Sequence, residues 1–179
     1  MYTNILVALS SIQIALSDHN IFEPNQTERE SFRVSREVLD EAIALAKPFK
    51  ANLTLLHVLT EKEIQDGIRK FGSKEKFEQE CQRRLKLLED EVRGAGVEVD
   101  FDQIFPKLVS GKPGEIICNH ARLWKNDLIV VGRRERHFHL LGPGGVSGYV
   151  IYHAPCTTFV VNSKASSISP EGANSVVVH

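Results

Sequence analysis

Leu128-Ile129-Val130-Val131-Gly132-Arg133-Arg134-Glu135-Arg136-His137-Phe138-His139-Leu140-Leu141-Gly142-Pro143-Gly144-Gly145-Val146-Ser147-Gly148 is the stretch that decides how this chain folds. Its apolar opening shows no polar alternation, which predicts a strand buried on both faces, as in a parallel sheet. A glycine-rich loop then leads into a short helix running to His153. Backbone N–H groups at a helix N-terminus, with the helix dipole behind them, form an anion site. Glycines let a phosphate come close to the backbone. Ser147 can donate a hydroxyl or cap the helix, and Arg133, Arg134 and Arg136 add positive charge. No Gly-Lys-Ser/Thr closes the loop, so it is not a Walker loop. It also fails the dinucleotide pattern GxGxxG, because Ser147 stands where the last glycine belongs. A plain connector with a solvated basic face is the alternative reading of the same residues.

Outward from this stretch the chain alternates strands with helices. Ile5–Leu9 is short, apolar and branched, and Leu53–Leu59 repeats that character. Thr27-Glu28-Arg29-Glu30 has the capping-box pattern. Val38, Leu39, Ala42, Leu45, Ala46 and Phe49 follow it at helical spacing, with Pro48 helping to stop the helix. Thr60 to Gly72 reads as a short helix. Phe77, Cys81, Leu85, Leu88 and Val92 mark one face of a longer helix that Gly94 and Gly96 end. A third strand falls between Val97 and Val109, and Pro113 suits the first turn of a helix reaching Trp124. Thr158–Val161 is the fifth strand. This alternation predicts a parallel sheet with helices on both faces. Ligands of such sheets sit beyond the carboxyl ends of the strands where the winding reverses, here strands one, two and four.

Composition narrows the function. In 179 residues, Lys and Arg number 22 against 23 Asp and Glu, so no basic surplus exists to neutralise nucleic-acid phosphates and no polybasic membrane anchor is present. No apolar run approaches the ~20 residues of a membrane helix. The cysteines Cys81, Cys118 and Cys156 are far apart and form no CxxC pair, which argues against a zinc knuckle or disulfide scaffold and for a reducing, cytoplasmic setting.

Leu128–Val131 with its glycine loop, the run Val150-Ile151-Tyr152-His153-Ala154-Pro155-Cys156-Thr157-Thr158-Phe159-Val160-Val161, the opening Ile5–Leu9 and the strand Leu55-Leu56-His57-Val58 together resemble the universal stress protein family. The resemblance covers nearly the whole chain. It implies one domain over residues 1–162 with an insertion at about residues 11–26, then a tail over 163–179. The implied fold is α/β: a three-layer α/β/α, Rossmann-like domain with a five-stranded parallel sheet, of the adenine nucleotide alpha hydrolase-like type. It further implies a homodimer paired through the fifth strand, Thr158–Val161, and an adenine nucleotide, ATP with or without Mg²⁺, as ligand.

The family's phosphate motif is G-x2-G-x9-G followed by Ser or Thr. Gly132 matches its first glycine, Glu135 occupies the second, and Gly144 and Gly145 fall at the third and at the small hydroxyl residue. Val146 and Ser147 match the next two positions. At the end of strand one, after Ala8 and Leu9, Ser10 stands where the family usually has Asp. Val58 matches the position whose backbone meets adenine, and Val131 the apolar lining of the base pocket. The resemblance thus implies a nucleotide site built from Ala8, Leu9, Ser10, Val58, Val131, Gly132, Arg133, Arg134, Gly144, Gly145, Val146 and Ser147. Glu135 and Ser10 depart from the family pattern and predict weakened or altered nucleotide binding.

Other features carry less. His137 and His139 supply at most half of a zinc site. His57 reads as a satisfied buried histidine, His153 as a helix C-terminal one, and Cys156 as a packed thiol. No catalytic constellation such as GxSxG or HExxH occurs. The expectation is a nucleotide-binding regulatory dimer, with a nucleotide-free interaction protein of the same fold as the alternative and a weak ATPase behind both.

Overall fold

A computed structural model describes residues 1–11, 26–97, 107–110, 112–133 and 145–162. Ten elements run β1 (Asn4–Leu9), α1 (Gln26–Phe49), β2 (Asn52–Leu59), α2 (Glu61–Phe71), α3 (Lys74–Gly94), β3 (Lys107–Ser110), α4 (Pro113–Leu123), β4 (Leu128–Arg133), α5 (Val146–His153) and β5 (Thr157–Asn162). All five strands are parallel, in the order β3-β2-β1-β4-β5. The chain winds outward from β1 to β3, returns, and winds the other way through β4 and β5. The reversal lies between β1 and β4.

Each strand sends alternate side chains to opposite faces. Ile5, Val7, Leu9, Leu53, Leu55, Leu128 and Val130 pack with Val34, Val38 and Leu39 of α1 and with Cys81, Leu85, Leu88 and Val92 of α3. Leu6, Ala8, Leu56, Val58, Ile129 and Val131 face Ile117, Cys118 and Ala121 of α4 and Val150 of α5. Two cores against one sheet make the three layers expected from the sequence.

Local chemistry sets the ends. Helix α1 starts at Gln26 and runs one residue past Pro48. It ends because Lys50 turns left-handed (φ 51°), so that the Lys50 and Ala51 N–H groups donate back to the carbonyls of Lys47 and Ala46. Helix α2 starts in a complete capping box: the Thr60 hydroxyl accepts from the Glu63 N–H, and the Glu63 carboxylate accepts from the Thr60 N–H. Gly67 lets α3 close on α2, since a Cβ there would meet the Phe77 ring at 2.5 Å. Arg36 of α1 pairs with Glu91 of α3 across the outer surface. At the amino edge of the sheet, the Asp127 carboxylate accepts from the Thr3 N–H and hydroxyl, both at 2.7 Å, and from the Asn4 N–H at 3.1 Å.

The strand starting at Leu128 is longer than its apolar run. Gly132 and Arg133 stay in the ladder because they pair with Val161 and Asn162 of β5. The third strand begins at Lys107 and reaches Ser110, one residue beyond its expected end. The loop insertion and the tail after Asn162 lie almost wholly outside the described residues.

Candidate functional site

A cavity of about 300 Å³ opens at the carboxyl ends of β1, β2 and β4, where the winding reverses. Its deep wall is apolar. Ala8, Leu56, Val58 and Val131 present the sheet, and Pro113 and Ile117 come from α4. Val34 and Val38 of α1 and Val146 of α5 close the sides, and Ser10, Thr60 and Glu63 are its polar residues. An apolar slot with a few polar groups at one side is the usual form of a small-molecule site.

Seven of the residues expected from the sequence meet here: Ala8, Leu9, Ser10, Val58, Val131, Gly132 and Val146. Gly145 adjoins them as the residue before α5, with φ +105° and, among the described residues, open space where a Cβ would project. Among the described residues no side chain caps α5, and its first turn carries no acidic residue. The first-turn amides of Val146, Ser147 and Gly148 have no intrahelical carbonyl to meet and so remain an anion-directed end. Ser147 is in that turn, half-buried. Arg133 ends β4 but does not line the cavity. Arg134, Gly144, Glu135 and the His137/His139 pair lie outside the described residues.

Gly132 has a demanding neighbour on the other side of the sheet. A Cβ there would stand 2.3 Å from Val34 Cγ1 and 2.9 Å from Val38 Cγ2. The glycine is therefore required by the close approach of α1 to β4. Ser10 is likewise drawn to α1, its hydroxyl lying 3.0 Å from the Ser35 hydroxyl and 3.3 Å from the Ser31 carbonyl oxygen.

Seven lining residues were not anticipated from the sequence as site residues: Val34, Val38, Leu56, Thr60, Glu63, Pro113 and Ile117. Glu63 is the one ionisable side chain among the described lining residues. Its Oε2 accepts from the Thr60 N–H at 2.8 Å and from the Thr60 hydroxyl at 2.6 Å. Its Oε1 stands 3.8 Å from Nε2 of His57. His57 is buried, as expected, and its Nδ1 donates to the Leu9 carbonyl oxygen at 2.9 Å. The signal that could have found Glu63 is Thr60-Glu61-Lys62-Glu63 itself. A T-x-x-E box directly after a buried strand puts its glutamate in the helix turn that overhangs the strand's carboxyl end.

A second cavity, about 600 Å³, lies on the α1 side between Phe32, the α2–α3 hairpin and the ends of β1 and β2, and shares Ser10 and Glu63 with the first. Among the described residues no three His, Cys, Asp or Glu side chains are grouped to hold a metal ion, and no helix is long and apolar enough to cross a membrane.

Comparison with known proteins agrees with this architecture. Residues 32–162 match the model of the universal stress protein family. A universal stress protein of Synechocystis sp. is 37% identical over 86 residues, spanning 48% of this chain and 75% of that protein. A second from the same organism is 28% identical over 144 residues, 72% of this chain and 90% of the relative. Among solved structures, universal stress protein UspA from Lactobacillus plantarum superposes with a TM-score of 0.61 at 21% identity, covering 89% of this chain and 97% of its own. A family protein from Arabidopsis thaliana with AMP bound gives 0.57 at 16% identity, covering 94% and 97%. A universal stress protein in complex with cAMP gives 0.55 at 15% identity, covering 91% and 98%.

Proposed function

Because the chain belongs to the universal stress protein family, we propose that it is a homodimeric regulatory module that holds an adenine nucleotide in the switch-point cavity. The observation that carries this reading is the apolar slot of Ala8, Leu56, Val58, Ile117 and Val131 lying next to the uncapped N-terminus of α5. The base enters the slot, where burying its faces is favourable. The phosphates reach the amides of Val146 and Ser147, which Gly145 leaves approachable. The residues present fit a nucleotide: the slot is about 300 Å³, the glycine cradle is open, and no acidic residue in the α5 first turn repels an anion. ATP, with or without Mg²⁺, is the ligand assigned. When bound, Mg²⁺ would neutralise phosphate charge, and no step of chemistry is assigned to the protein. The relatives with AMP or cAMP bound support the ligand class.

Pairing occurs through β5, the sheet edge whose Thr157 and Phe159 are exposed. A two-fold operation covers both such edges at once. The free thiols Cys81, Cys118 and Cys156 suit a reducing, cytoplasmic compartment.

Isothermal titration with ATP and with AMP, each with and without Mg²⁺, tests the reading. Saturable binding below millimolar concentration is expected, and absence of heat up to millimolar ligand overturns it. A second reading, a dimeric interaction protein of this fold without nucleotide, is favoured by Val34 and Val38 filling the space beside Gly132 and by the Ser10 hydroxyl turning to α1. Nucleotide retained through purification, seen by absorbance near 260 nm and mass spectrometry, counts against that alternative.

A further inference from the structure

A buried imidazole nitrogen and a carboxylate oxygen face each other beside the switch-point cavity. His57 donates from Nδ1 to the Leu9 carbonyl, so in the neutral ring Nε2 carries a lone pair. That nitrogen stands 3.8 Å from Oε1 of Glu63, beyond hydrogen-bond reach. Both hydrogen bonds that Glu63 accepts from Thr60 end on Oε2, which leaves the lone pairs of Oε1 for another donor. His57 is nearly enclosed, its side chain 5% exposed, whereas Glu63 is 41% exposed and opens onto the cavity.

A carboxylate there sorts the parts of an incoming nucleotide. Phosphates are repelled from α2 and drawn to the opposite wall, where α5 begins. The ring nitrogens of a purine are acceptors and gain nothing from Oε1. A vicinal pair of hydroxyls is neutral, donates, and lies between base and phosphate. We propose that Glu63 is the specificity residue of the site: its Oε1 accepts from the ribose hydroxyls, so the cavity selects ribonucleotides over their deoxy forms and fixes the ligand with its sugar toward α2. The inference rests on the nucleotide reading above and adds to it the sugar and the ligand's direction.

The test titrates AMP, 2′,3′-dideoxy-AMP and IMP into the full chain and into Glu63→Gln. Glutamine also serves at the third position of a capping box, so α2 keeps its start. Its one amide oxygen is then taken by Thr60, and its amide nitrogen only donates. The wild-type chain is expected to bind AMP about tenfold or more tightly than the dideoxy form, as for a hydrogen bond to a charged acceptor. In Glu63→Gln that ratio is expected to fall toward one, with the far-ultraviolet circular dichroism unchanged. Equal wild-type affinities for AMP and dideoxy-AMP overturn the role of Glu63 while leaving nucleotide binding intact. A penalty that appears with IMP, and vanishes in Glu63→Gln, assigns the carboxylate to the base amino group and also overturns it. No binding of any of the three overturns the nucleotide reading and the specificity residue with it.

Discussion

Gly132 and Val34 occupy one another's space: a single carbon added to the glycine would lie 2.3 Å from Val34 Cγ1. The pair joins β4 to α1 immediately below the switch-point cavity, so the height of the helix above the sheet is set by a missing side chain. A glycine in a loop motif and a glycine under a helix look the same in sequence. Here the second role is visible in the geometry.

Gly132→Ala is therefore expected to destabilise the fold by about 1–3 kcal/mol through overpacking. Val34→Ala combined with it should cost less than the sum of the two single changes, because the smaller residue makes room. Denaturant unfolding of the four proteins of the cycle measures this. Strict additivity would show that α1 relaxes away without resistance.

Acid stability should depend on Glu80. Hydrogen bonds from Arg83 first and then Arg84 hold its carboxyl down at about 2, against an ordinary 4.5, although partial burial opposes them. The folded state therefore favours the ionised form. The resulting stabilisation is full above pH 4.5 and is lost as the pH falls through about 2. Glu80→Gln should lower stability near neutral pH by on the order of 1 kcal/mol. It should also flatten the unfolding midpoint between pH 4.5 and 2. Parallel pH profiles for the two proteins would exclude the contribution.

The three thiols should differ in reactivity. Burial pushes Cys81 up to about 11 and raises Cys118 and Cys156 as well. Cys81 and Cys118 are enclosed and Cys156 is half-buried, so a disulfide reagent at pH 8 should reach Cys156 first and slowly. The other two should react only on unfolding. Cys156→Ser should remove the first phase of labelling; fast labelling of Cys81 in the native chain would contradict its burial in the core between the sheet and α1.

If β5 is the pairing edge, Phe159→Lys should weaken the dimer, since Phe159 is 38% exposed on that strand and a charge there must be desolvated on association. Sedimentation velocity over a concentration series should show a monomer at concentrations where the wild-type chain is dimeric. An unchanged distribution would move the interface elsewhere.

Much of this architecture was legible in the chain because the sheet is buried on both faces. Ile5–Leu9 and Leu128–Val131 are apolar without interruption and Leu53–Leu59 is broken only by Thr54 and His57, a pattern with few explanations other than a covered parallel sheet. Gly145 read as standing at the family's small hydroxyl position, and its left-handed backbone angle emerges only in the structure. The contributions of α1 and α2 to the cavity were not legible either. Val34 and Val38 sit on an ordinary apolar helix face, and nothing local tells which strand residue they oppose. Glu63 was readable as a helix-capping residue. Its second oxygen gains meaning only when α2 folds back over the end of β2 and brings it near His57. Gly132 and Arg133 read as loop because glycine and charge rarely continue a strand, yet pairing with β5 holds them in one.

The Asp127 clasp on Thr3 and Asn4 has a practical consequence. It pins the start of β1 to the pole of the sheet opposite the cavity, about 20 Å away along a strand of this length. Met1 is 92% exposed just beyond the clasp. A fluorophore attached there would ride on a rigid anchor at the pole opposite the cavity, reporting the tumbling of the particle without entering the switch-point cavity.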